Sequence, residues 1–423
     1  MIIQKHKFKN GLRLINLKRA GLETATIMAM AGCGSRYEKD SEAGISHFLE
    51  HIVYKGTKNR PDPLSVAETI DSIGGETNAF TGKEITGFYA KVDRYHFKTA
   101  LDFVSDIYQN ALLKENDIAR EKGVVIEEIN LYQDTPIKYI LSLAEEIIWP
   151  KSDLGRDIIG YKKSVRTLNN KKILSYLRRF YTANNTIIGI VSSFDIKQIK
   201  DQVLVKFDRL PKGKKVKPTK APQIKTKQPR LRIVYKKTDQ AHLALSLNTP
   251  SFNSKDYPVI EVIDALLGSN MSSRLFSRIR EQLGLAYLIK SYIDSYQDAG
   301  ALTIQAGLRL NKVKEAIQEI IKELKHLKVE PVKTKELNKG KEFLLGKLAL
   351  EKEKSEEILA EFLDREFYQK KPRNFEQIER EIKKVTTKDI LRVSKKLFQN
   401  KNLSLALIGP YKNSKEFQKM LYF

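Results

Sequence analysis

The chain has little cysteine, little histidine and no long apolar run, and each shortage excludes something. A single cysteine, Cys33, in 423 residues rules out an internal disulfide framework and a cysteine-based zinc knuckle. It reads instead as a small buried residue. No stretch approaches the roughly eighteen consecutive apolar residues of a membrane-spanning helix, so no membrane partner is expected. The opening MIIQKHKFKNGLRL has no uninterrupted apolar core and no small-residue cleavage site, which argues against a secretory leader. A reducing, cytoplasmic setting is the expectation. Tryptophan is equally scarce, and the lone Trp149 reads as packing.

Acidic residues are outnumbered. Lys and Arg total 76 against 51 Asp and Glu, a formal net charge of +25, while 41% of residues are hydrophobic. That balance suits a folded globular chain rather than a disordered one. The basic residues are spread along the whole length, with no compact basic-aromatic run. They read as solvated helix faces, and no nucleic-acid partner is expected. Between Asp208 and Asp239 no acidic residue occurs at all. Within that window Lys212 to Arg230 mixes Pro and Lys without apolar periodicity, as an extended, self-repelling linker does.

Periodicity supplies the elements on either side. Residues 2–8 and 12–17 read as a hairpin around Asn10-Gly11, and Thr24 to Ala31 as a third strand. Helices are expected over about 44–55 and 63–73, the second stopping at Gly74-Gly75. Strands at 76–80 and 85–92 precede helices over about 95–111 and 116–132. A broken helical stretch from 138 to about 181 then leads to an apolar strand at 185–192. Lys172 to Ser192 resembles Asp389 to Gly409 without a gap, at a constant offset of 217 residues, close to half the chain. The expected fold class is α+β. Two homologous domains, each an antiparallel-rich sheet packed with helices, span 1–211 and 231–423, joined by the basic linker 212–230.

Two of only six histidines fall in Gly44-Ile-Ser-His47-Phe-Leu-Glu50-His51. On a helix, His47, Glu50 and His51 project from one face, so two imidazoles can share a cation and a carboxylate can reach a water on it. Taken alone, the pattern also fits a surface helix with an accidental histidine pair. A third ligand must come from elsewhere. Glu121 and Glu128 lie seven apart on a helical pattern and face one way, as a ligand and a supporting carboxylate would, or as an ordinary charged face would. Glu127 competes with Glu128 but lies about 100° round the helix, so only one of the two can face a metal.

His47-Phe-Leu-Glu50-His51, followed by Tyr54-Lys-Gly-Thr57 and by the Glu121–Ile129 run, whose Glu128 lies 77 residues past His51, resembles the pitrilysin/insulinase and mitochondrial-processing-peptidase family of zinc peptidases. The resemblance extends to Gly74-Gly-Glu-Thr-Asn78-Ala79-Phe80-Thr81 and to Ser273-Arg-Leu-Phe-Ser-Arg-Ile-Arg280-Glu-Gln-Leu-Gly-Leu-Ala-Tyr287. The resemblance covers most of the chain and involves four separated motifs in the family's order. Ile52-Val53-Tyr54 departs from the usual Met and Phe. The resemblance implies a two-domain, bacterial-type zinc metalloendopeptidase with one Zn2+ per chain. His47, His51 and Glu128 would be its ligands, Glu50 the general base and Glu121 a support. Asn78, Ala79 and Phe80 would accept a peptide as an added strand, and Arg280 and Tyr287 would hold its backbone. Arg274 and Arg278 read as salt-bridging or helix-surface residues. Full-length relatives enclose a chamber with four such domains, which implies a homodimer here, completing each site with the second copy and taking short or unfolded peptides. The alternative is a non-catalytic family member serving as scaffold or assembly subunit.

Overall fold

Continuous apolar runs make central strands because both faces of such a strand must be covered. In a computed structural model describing residues 1–223, 226–369 and 372–423, Thr24–Ala31 and Thr186–Ser192 are buried almost throughout and sit inside the first sheet. That sheet holds β1 (Ile2–Lys7), β2 (Arg13–Lys18), β3 (Thr24–Ala31), β4 (Glu76–Thr81), β5 (Thr86–Asp93) and β6 (Thr186–Ser192) in the order β1-β2-β6-β3-β5-β4. Only β2 and β6 pair in parallel. β1 and β2 form the hairpin expected around Asn10-Gly11, with Ile2 opposite Lys18.

Among the described residues, the second sheet repeats this plan without a counterpart of β1. It contains β7 (Arg230–Tyr235), β8 (Gln240–Thr249), β9 (Ala286–Ser295), β10 (Gly300–Arg309) and β11 (Leu403–Gly409), ordered β7-β11-β8-β10-β9. Its one parallel pair is β7 with β11. The helix Thr387–Leu397 and β11 lie 217 residues beyond the helix Asn170–Phe180 and β6, so the offset in the sequence is an offset between equivalent elements. The α+β class and the two-sheet architecture are those expected.

The division of the chain differs from the contiguous one at 1–211 and 231–423. The first unit comprises 1–130, 156–219 and 351–367, and the second 131–155, 220–350 and 368–423. Amphipathic packing explains each exchanged piece. The helix Pro136–Ile148 buries Ile140, Leu143, Ala144 and Ile147 with Ala244, Ala406 and Ile408 of the second sheet. The helix Ser355–Tyr368 packs on the first sheet, where Ser355 Oγ lies 2.7 Å from Thr26 Oγ1. Leu359 and Leu363 fill the space a Cβ at Gly189 would need. The linker is likewise divided, 212–219 with the first unit and 220–230 with the second, and its positions 224 and 225 lie outside the described residues.

Trp149 is buried and meets Tyr296 edge-to-face at 5.3 Å, and Cys33 is fully buried. Among the described residues, no helix is long and apolar enough to cross a membrane.

Candidate metal centre

The helix Ile45–Ile52 is anchored by Ile45, Phe48, Leu49 and Ile52, all fully or almost fully buried. These apolar positions fix which way the intervening residues turn. Its start is built by Gly44 and Glu38. Gly44 adopts φ +90°, and a Cβ there would stand 2.6 Å from the Ile159 carbonyl oxygen. Glu38 accepts hydrogen bonds from Gly44 N at 2.7 Å, Ser46 N at 2.8 Å and Ser46 Oγ at 2.7 Å. A distant carboxylate thus satisfies amides that a helix start leaves open. No motif marked Glu38. Burial pushes its pKa up to about 7, against the lowering effect of the bonds from Ser46 and Gly44.

The helix Glu115–Asp134 supplies the second side of the centre. His47 Nε2 and His51 Nε2 each lie 3.5 Å from Glu128 Oε2. One ligand atom from each of the three residues falls within 4.8 Å of the others. Glu128 Oε2 is buried with no hydrogen-bond partner among the described residues. Glu127 is exposed and accepts from Asn130 Nδ2 at 3.1 Å, so the competition between neighbouring glutamates is decided by facing.

Those separations suit one shared cation. Bonds of about 2.0–2.1 Å in tetrahedral geometry give donor-to-donor edges of roughly 3.3 Å. Two imidazole nitrogens at 3.5 Å from a carboxylate oxygen that has no other partner match that edge. The residues present therefore fit a metal such as zinc.

Two further contacts orient the set. His51 Nδ1 lies 2.9 Å from Glu121 Oε1, and Lys55 Nζ lies 2.8 Å from Glu121 Oε2. A carboxylate on the far ring nitrogen fixes the imidazole's rotation and leaves Nε2 to the metal side. Thr81 Oγ1 donates to Glu50 Oε2 at 2.6 Å, which fixes one oxygen of Glu50. Lys55 lies four residues past His51, and Thr81 closes the Gly74–Thr81 motif, and spacing along the chain assigns neither of them a role.

The electrostatics separate the two imidazoles. Burial, then repulsion from His51, lowers His47 to about 4, so it is a neutral donor. The bond to Glu121 raises His51 against the opposing effect of burial, with Glu128 adding to the rise. Burial raises Glu50, opposed by Thr81 and His51. Burial also acts to raise Glu121, but its bonds to His51 and Lys55 outweigh it and hold the carboxyl low.

Of the strand residues, Asn78, Ala79 and Phe80 lie on β4, an edge strand paired only with β5. Ala79 N donates to Asn78 Oδ1 at 2.8 Å. Arg280 and Tyr287 form a separate group in the second unit. Arg280 lies on a π-helical turn, Phe276–Gln282, its guanidinium 4.7 Å from the Phe276 ring centre and 5.5 Å from that of Tyr287. A β-bulge between Gly307 and Leu308 shifts the pairing from Leu288 to Ala286 and leaves Tyr287 79% exposed. Arg274 binds Glu336 through two bonds of 2.6 and 2.8 Å, and Arg278 binds Glu319 at 2.9 Å. Both are salt-bridging residues.

Two units of one α+β topology, with an inverted histidine helix and a converging glutamate in the first, are the arrangement expected of the metallopeptidase class. The family model described as Insulinase (Peptidase family M16) matches residues 15–162, which include every residue of the centre. That described as Peptidase M16 inactive domain matches residues 167–344. The chain belongs to the M16 peptidase family, as a two-domain, bacterial-type member. It is 32% identical over 412 residues to the "Uncharacterized zinc protease YmxG" of Bacillus subtilis, covering 97% of this chain and 99% of that protein. An "Uncharacterized zinc protease" of Rickettsia bellii is 32% identical over 409 residues, 96% of this chain and 97% of that one. A crystal structure of a protease from Helicobacter pylori shares the fold, with a TM-score of 0.90 at 23% identity, covering 96% of this chain and 99% of that one.

Proposed function

We propose that the protein is a zinc-dependent endopeptidase acting on short or unfolded peptides. The observation that carries this reading is the convergence of His47, His51 and Glu128 on one point, at 3.5 Å from each imidazole nitrogen to Glu128 Oε2. Three protein donors leave a position open, the pattern of catalytic rather than structural zinc. The relatives' names, zinc protease, agree with this metal.

His47, His51 and Glu128 would hold one zinc per chain, which supplies Lewis acidity and makes a water acidic near neutral pH. Glu50, one oxygen held by Thr81, takes the proton of the attacking water and passes it to the leaving amine. Its raised pKa suits a carboxylate that must accept and then release a proton. Glu121 and Lys55 keep His51 in its orientation. The free edge of β4 at Asn78, Ala79 and Phe80 receives the peptide as an added strand, which gives affinity with little sequence preference. Arg280 and Tyr287 of a second copy bind the peptide backbone and the developing negative oxygen, so the working unit is a homodimer.

The test is zinc content beside cleavage of an unstructured fluorogenic peptide, with mass in solution recorded on the same samples. About one zinc per chain in wild type and Glu50→Gln, with turnover in wild type only, is the expected result. Full activity from a monomer would overturn the shared-site arrangement. Chains that bind no zinc would favour the scaffold reading instead.

A further inference from the structure

Beside the β-bulge that turns Tyr287 outward lies a pocket of about 370 Å³ in the second unit. It is lined by Gln240, Arg280, Glu281, Tyr287, Gly307 and Arg309, among others. Gly307 lies beside Gln240 and His242, since a Cβ there would stand in ordinary contact, 3.5 Å from Gln240 Oε1 and 3.9 Å from the His242 ring. His242, opposite Gly307 in the ladder, has a buried Nδ1 with no hydrogen-bond partner among the described residues. Arg309 faces Gln240 across the same ladder, so these four positions lie along one end of the β8–β10 pair.

The charges in this pocket are unevenly matched. Arg280 has Glu281 at 3.6 Å, a loose ion pair, and its guanidinium lies near two aromatic rings. Arg309 is exposed, and its side chain has no ion pair or hydrogen-bonded partner among the described residues. By contrast Arg274 and Arg278, on the same segment as Arg280, are both neutralised by glutamates. Two guanidinium groups against one carboxylate leave a net positive concavity with donors at its wall. A guanidinium fork is complementary to a carboxylate.

We propose that this pocket binds a carboxylate of the bound peptide, with Arg309 as the residue that selects for it. The carboxylate comes from an Asp or Glu side chain or from the peptide's own C-terminus. This rests on the peptidase reading, because it takes the ligand to be a peptide held beside Arg280 and Tyr287. The net charge of +25 is a bulk property that would draw any acidic peptide to any surface. The pocket assigns the preference to one residue.

The test uses the full-length, zinc-treated Glu50→Gln protein and fluorescent peptides in matched pairs. Each pair differs by Glu against Gln at one position, and each peptide is made with a free and an amidated C-terminus. Binding is read by anisotropy at fixed salt, and cleavage of the same peptides by wild type is read separately. The acidic or free-acid member should bind about tenfold tighter than its neutral twin, and adding Arg309→Ala should reduce that ratio to within twofold. Whether the Gln change or the amide cap removes the preference identifies the source of the carboxylate. Adding Lys325→Ala, an exposed change of equal charge, should leave the ratio intact. Twins that bind alike, a ratio that survives Arg309→Ala, or one that Lys325→Ala erodes equally would overturn the proposal. An Arg309-dependent preference without wild-type cleavage of any peptide would keep the anion pocket and defeat the peptidase reading.

Discussion

Glu121→Gln isolates what the support of a ligand is worth. The glutamate touches no proposed metal position itself; it binds His51 Nδ1 at 2.9 Å and Lys55 Nζ at 2.8 Å. Its side chain is only 5% exposed, so no water can replace the lost interaction freely. Gln keeps the shape but removes the charge that holds His51 in one orientation, and its amide can present N–H toward Nδ1. Outer partners of metal-bound histidines are typically worth 10–100-fold in affinity, about 1.4–2.7 kcal/mol. A chelator-dye competition for zinc should therefore show the variant's affinity lower by one to two orders of magnitude. Lys55 is 35% exposed, so water can take up its charge and the fold should persist, as circular dichroism would show. Glu127→Gln, on the exposed side of the same helix, is the control and should bind zinc as wild type does. An affinity within twofold of wild type for Glu121→Gln, or a loss for Glu127→Gln, would refute the assignment of roles along this helix.

Other expectations follow from the same geometry. Glu50→Gln should retain zinc and lose activity by roughly 10²–10⁴-fold, measured with the fluorogenic peptide; wild-type turnover would remove Glu50 as the base. Gly44→Ala places a Cβ 2.6 Å from the Ile159 carbonyl oxygen in a positive-φ conformation, which should cost at least about 2 kcal/mol. A calorimetric scan that showed no fall in melting temperature would mean the helix start can relax. Glu38 has an ordinary pKa of 4.5 raised by burial to about 7. Its contribution to stability is full below pH 4.5 and is lost as pH rises through about 7, a change of order 3 kcal/mol. Urea unfolding from pH 4.5 to 8 should show that decline in wild type and a flatter profile in Glu38→Gln; equal profiles would exclude Glu38 as its source.

Much of the first sheet was legible because its signals are local. The hairpin at Asn10-Gly11, the apolar runs of β3 and β6, and the stop of the 63–71 helix before Gly74 all rest on short-range chemistry. The repeat was legible for the same reason, since equivalent helix-strand pairs carry equivalent apolar spacing 217 residues apart. The unit boundaries were not. Nothing in the periodicity of Pro136–Ile148 or Ser355–Tyr368 says which sheet will cover its apolar stripe, and each packs in a unit apart from its sequence neighbours.

The candidate site divides along the same line. The sequence by itself determined that His47, Glu50 and His51 share a face, because helical spacing allows nothing else, and that Glu121 and Glu128 point one way. It also determined that Glu127 and Glu128 cannot both face a metal. Tertiary structure decided which of them does, by burying one side of the Glu115–Asp134 helix and exposing the other. It alone joined Glu38 to the start of the histidine helix, Thr81 to Glu50, Lys55 to Glu121 and Arg309 to the pocket beside Arg280. Hydrogen bonds and charge pairs form between atoms a few ångströms apart, and for residues on different elements that proximity is set by the packing of sheets and helices.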